Sequence, residues 1–152
     1  MPIAQTLCSS FKAESLLGVH DFRAVGGDTF RIALYTAAAD LGANTTQYTT
    51  AGEVVGTGYT AGGQVLTNLG VSLADAVGFA TFANAVFTSS SITARGALIY
   101  NTTPSALGAN GATLINPAVC VLDFGADRTS NNSSFTVMFP AAGSNTAIIR
   151  IA

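Results

Sequence analysis

Charge is what this chain has least of. Lys, Arg, Asp and Glu together make up 9% of its 152 residues, against about 25% in an ordinary soluble domain. The six basic residues are scattered and the net charge is −2. No basic stripe of the kind that tracks a phosphate backbone is present, so nucleic acid is not an expected partner. Histidine occurs once and tryptophan not at all, which leaves few candidate general bases and removes the largest stacking ring. The two cysteines, Cys8 and Cys120, are far apart and lack metal-site spacing. They read as buried free thiols packing as small hydrophobes, with a disulfide as the alternative.

Long apolar runs are also missing. The stretch Ala76 to Ala94 carries no charge and approaches the length of a membrane span. Thr81, Asn84, Thr88, Ser89, Ser90, Ser91 and Thr93 divide it into short apolar pieces, which predicts two strands and no membrane partner. The opening MPIAQTLCSS has neither a basic n-region nor a full apolar h-region, so a secretory signal is not expected there.

What is present is 49% apolar residues and 16 glycines in a chain long enough for one domain and one core. A single domain over residues 1–152 is expected. Ala4 to Leu17 reads as the only helix, with Leu7 and Phe11 four apart and Gly18 as its C′ residue. Beyond it the period becomes twofold. Thr29 to Thr36 places Phe30, Ile32 and Leu34 on a core face and Arg31, Ala33 and Tyr35 on the other. Further strands are expected at Gln64–Leu69, Gly78–Phe82, Ala85–Thr88, Ile92–Asn101, Ala118–Phe124, Ser133–Phe139 and Thr146–Ile151, separated by turn residues. The fold class is therefore mainly β: a single-domain β-sandwich or jelly-roll-like barrel with one short N-terminal helix. The connections Ala37–Thr50 and Thr102–Asn116 are long enough to need a task or something to pack against.

Candidate chemistry is thin. GTGYTAGGQVL, Gly56 to Leu66, resembles a phosphate cradle in composition but has neither G-x-G-x-x-G spacing nor a G-K-[ST] ending, and it runs on into a strand. Gly62-Gly63 instead suits a turn with positive φ. His20, beside Asp21, has no G-x-S-x-G elbow to serve and reads as a satisfied loop residue. Asp123 and Asp127 are a close carboxylate pair that could frame a cation, but a polar turn around Gly125 accounts for them without one. Asn44, Asn101, Asn131 and Asn132 match the glycosylation sequon and read as turn residues. Tyr35, Tyr48, Tyr59 and Tyr100, with Phe79, Phe82 and Phe87, suit a core or interface better than a glycan platform. No catalytic, cofactor-binding or metal-ligating residue is assigned, and no cofactor is expected. At the end of the chain, TAIIRIA alternates Ile149 and Ile151 against Ile148 and Arg150. That strand should pair in the sheet or with a neighbour, Arg150 being held by a carboxylate or exposed at an interface.

FRIALYT, LGANTTQYTTAGEVVGTGYTAGG, ITARGALIYN, AVCVLDFGAD and the terminal AIIRIA together resemble a family of small virion structural proteins of tailed bacteriophages, in order along the whole chain. The resemblance implies a non-enzymatic capsid decoration, or cement, protein on the capsid exterior. Its implied partners are the major capsid protein and further copies of itself, a homotrimer being favoured. A tail or fibre component contacting host glycans is the alternative. Tyr48, Tyr59, Ile148 and Arg150 are the residues expected at an interface.

Overall fold

In the computed structural model, which describes residues 2–104 and 106–152, the chain forms two antiparallel sheets and one short helix. The elements are β1 (Thr6–Leu7), α1 (Ser9–Leu16), β2 (Phe30–Tyr35), β3 (Gln64–Val65), β4 (Asn68–Ala74), β5 (Val77–Phe82), β6 (Ala85–Asn101), β7 (Ala118–Val137) and β8 (Ile149–Ile151). The five-stranded sheet has the order β1-β7-β6-β2-β3, and the three-stranded sheet β4-β5-β8. The mainly β, sandwich-like class is the one read from the sequence.

The helix is shorter than its periodicity suggests. Thr6 and Leu7 pair with Val121 and Cys120, and the Cys8 N–H donates to the Val119 carbonyl, so a sheet ladder takes the residues that Leu7 and Phe11 seemed to place on one helical face. The C-terminus ends as expected. Gly18 has φ +70°, and the N–H groups of Gly18 and Val19 donate to the Ser15 and Glu14 carbonyls, which satisfies carbonyls the helix leaves open.

The expected pairs Ala85–Thr88 with Ile92–Asn101, and Ala118–Phe124 with Ser133–Phe139, are each one continuous strand, β6 and β7. The polar residues between them are bulges, not turns. The β6–β7 register slips around Ser89 and again between Ala94 and Gly96, where Phe124 to Asp127 bow out, with Gly125 at φ +77°. A bulge keeps pairing going while redirecting side chains. Gln64–Leu69 corrects the other way: β3 ends at Val65 and a new strand starts at Asn68. Val77–Phe82 stands close to its expected limits, and with β6 it occupies the uncharged stretch from Ala76. No helix among the described residues is long and apolar enough to cross a membrane.

β2 is the centre. It pairs with β6 from Phe30↔Asn101 to Tyr35↔Gly96, and both of its faces are covered. Ala33 and Tyr35, expected on the polar face, are fully buried with Phe30, Ile32 and Leu34. The cover is the long connection after β2: its Thr49 carbonyl accepts from the Tyr35 hydroxyl and its Tyr48 ring stacks on Tyr100, while Val54 N–H, donating to Leu34 O, pairs it along the strand's edge. Both long connections also pack on each other, with Tyr48 N–H donating to Asn116 O. The sheets are joined by aromatics. Phe30 of β2 stacks on Phe22 at 4.4 Å and meets Phe82 of β5 at 5.5 Å, which in turn reaches Phe139 at 5.9 Å.

Candidate functional site

The glycine-rich stretch is organised by Glu53. Its Oε1 accepts from the Tyr59 hydroxyl and the Gly62 N–H, each at 2.6 Å, and its Oε2 accepts from the Tyr48 hydroxyl at 2.6 Å. The Tyr59 hydroxyl also accepts from the Leu34 N–H at 2.9 Å, tying the loop to β2. Tyr100 and Arg31 donate to the Gly62 carbonyl, and Arg31 donates to that of Gly63 at 2.7 Å. Gly62 and Gly63 have φ of +89° and +69°, the turn expected of them. At Gly63 nothing larger fits, since a Cβ would lie 1.7 Å from the Ile32 carbonyl oxygen.

Burial first, and then the Glu53 carboxylate, raises the phenols of Tyr48 and Tyr59 above the ordinary tyrosine range, so they stay protonated as donors. Tyr35 donates to the Thr49 carbonyl at 2.6 Å, and the rings of Tyr48 and Tyr100 stack at 4.8 Å. Tyr48 and Tyr59 are half-buried with their hydroxyls engaged inside the chain. The sequence signal for this hub was a lone acid, five residues after one tyrosine and six before another.

His20 sits in a second internal network. Its Nε2 lies 2.7 Å from Glu14 Oε2, and its Nδ1 lies 3.0 Å from Asn101 Nδ2. Asn101 is fixed by its other bonds: Oδ1 accepts from the Thr103 N–H, and Nδ2 donates to Asp28 Oδ2 at 2.7 Å. Nδ1 of His20 is therefore the acceptor and Nε2–H donates to Glu14. The ring is also 5.0 Å from that of Phe11. Among the described residues no hydroxyl or thiol nucleophile hydrogen-bonds this imidazole, whose network fastens α1 to the end of β6. Asn101, a sequon residue, is buried in it.

The carboxylate pair is not brought together on a common ligand. Asp123 accepts from Arg95 Nε at 3.1 Å and from the Gly125 N–H at 2.9 Å, and these hold its carboxyl below the usual range, the Gly125 bond first. Asp127 is exposed on the bulge. Among the described residues no group of three or more His, Cys, Asp and Glu side chains could hold a metal ion. Both cysteines are buried and free. Burial, followed by the charge of Glu14, pushes the Cys8 thiol up to about 12, so it is an inert packing group at neutral pH.

Apolar side chains also face outward. An open cleft of about 460 Å³ runs past Leu7, Phe124, Met138, Phe139, Ile148 and Arg150. Ile148 is half-buried against the core. Arg150 is exposed and donates to the Ser144 carbonyl at 3.4 Å, with no carboxylate partner among the described residues. The terminal strand is shorter than Thr146–Ile151, and only Ile149 of its isoleucines is fully buried, Ile151 being 63% exposed. On β4, Leu69, Val71 and Leu73 are exposed as well. The sequence analysis missed this strip, although an uncharged alternation ending at a turn was its signal. No protein-family model, curated protein or solved structure matches the chain.

Proposed function

We propose that this chain is a non-enzymatic structural part of a tailed-bacteriophage virion: a capsid decoration protein that binds the outside of the major capsid protein as a homo-oligomer, a trimer being favoured, and stabilises the head. The observation that carries this reading is the pairing of a 9% charged composition with uncovered aliphatic side chains on an ordered sheet. Such a surface suits lasting contact with neighbours, because few charges must be desolvated. The ordered resemblance along the chain supplies the setting. Many weak contacts suffice there, since an oligomer bridging several capsomers gains by avidity.

The inward engagement of the tyrosine hydroxyls weighs against the tail or fibre alternative, which needs them free for glycans. The test compares particles with and without the protein. A ligand that binds only the assembled shell stabilises that state, so particles lacking it should release DNA at a lower temperature, and its copy number should run to hundreds per virion. Equal heat resistance with poor adsorption, and a copy number near a small multiple of three or six, would overturn the head assignment in favour of the tail.

A further inference from the structure

The small sheet has one face with relief and no charge. Its register sets Val71 opposite Ala80 and Leu73 opposite Gly78, then Ala80 opposite Ile149 and Gly78 opposite Ile151. Cross-strand partners share a face, so Leu73, Gly78 and Ile151 form one row and Val71, Ala80 and Ile149 the next. Ala80 and Ile149 are buried, while Val71, Leu73 and Ile151 are 59%, 76% and 63% exposed. The strands thus outrun the body that covers their base. Gly78 makes a notch between Leu73 and Ile151, where an added Cβ would meet nothing nearer than the Ile151 carbonyl at 4.0 Å.

We infer that this face is where copies of the chain meet, the Val71–Leu73 ridge of one copy seating in the Gly78 notch of the next. The inference rests on the homo-oligomeric part of the function proposed above and names its surface. A second copy is the occupant the surface describes: ridge and notch stand side by side on one face, so the ridge of each copy can seat in the notch of the other. The row carries no charge that would select a partner of opposite sign. A net charge of −2 gives two copies little mutual repulsion. The exposed parts of Val71, Leu73 and Ile151, counted in both copies, come to roughly 250–500 Å² at ~60–120 Å² per large aliphatic side chain. That is the size of the apolar centre of a standard interface of ~1,200–2,000 Å² with its polar rim.

The test is the mass of the purified full chain by sedimentation equilibrium at micromolar concentration. Wild type should be a multimer. Leu73→Asp should weaken self-association roughly 30-fold or more, as loss of a central anchor does. Gly78→Val should do the same by filling the notch, and its β-branched side chain suits the strand it joins, so the fold survives. Leu16→Asp, on the helix at a residue 92% exposed, should keep the wild-type mass. A monomeric wild type, or unchanged masses for both Leu73→Asp and Gly78→Val, would overturn the inference. Variants that stay multimeric but no longer bind particles would also overturn it, assigning the face to the capsid subunit while leaving the virion function standing.

Discussion

In β2, Ile32, Ala33, Leu34 and Tyr35 are all fully buried, whereas in β4 Leu69, Val71 and Leu73 remain 56%, 59% and 76% exposed. Both are short strands rich in aliphatic residues. The difference lies in what lies over them. The connection after β2 folds back across its second face and is pinned there by Glu53 and its tyrosines, while the end of β4 runs past the core. Burial in this protein is therefore a property of coverage by distant segments, and the uncovered strand is where a second copy is proposed to sit.

The comparison breaks most visibly at the centre. Leu98→Ala, on β6 beside β2 and fully buried, should cost about 2–5 kcal/mol in urea unfolding, the range for cavities in a packed core. A loss below about 1 kcal/mol would mean that the large sheet is less tightly packed than its burial indicates. Glu53→Gln tests the cover itself. The amide keeps an accepting oxygen for Tyr59 and Gly62 but turns an NH2 toward the Tyr48 hydroxyl, and the charge is lost, so about 1.5–3 kcal/mol should be lost, with Tyr48 and Tyr59 more accessible to solvent. An unchanged unfolding midpoint would show that the loop holds without its acid.

Alkali should release the same cover. Tyr35, Tyr48, Tyr59 and Tyr100 all have folded-state values above the ordinary one, with burial the leading cause. As pH rises, the unfolded chain loses its phenolic protons first, from about pH 10. Stability is full below that point and declines above it toward the folded values. Tyrosinate absorbance should accordingly appear together with unfolding, and a freely titrating folded protein would contradict the network. The smallest effect belongs to the other strand. Leu73→Ser should leave the stability of the separate chain within about 0.5 kcal/mol, while making the thermal transition of the assembled protein less dependent on concentration.

Period-2 alternation made the place of β2 legible and a short apolar piece that of β5, although neither told how far both faces are buried. The turn at Gly62-Gly63 was equally local. β6 and β7 read as four strands because Ser, Asn and Gly at their bulges carry the same signal as turn residues. Pairing with a partner far along the chain decided which they were. The helix lost its first turn for the same reason, since β7 competes for Thr6 and Leu7. At the candidate sites, His20 was placed correctly as a satisfied residue, but Glu14, Asn101 and Asp28 could not be assigned to it from spacing. Val71 and Leu73 carried a signal in their own alternation, but Ile151 was beyond reach because it joins them only through β5.

By itself, then, the sequence determined the β class, the scarcity of charge and the alternation that supplies apolar faces, all of which depend on residue type and near neighbours. Tertiary structure alone decided which faces are covered. The second face of β2 is closed by side chains of a loop far along the chain, Tyr48 stacking on Tyr100 and the Thr49 carbonyl taking the Tyr35 hydroxyl. The end of the β4–β5–β8 face stays open, Val71, Leu73 and Ile151 being exposed, because no segment among the described residues lies above it.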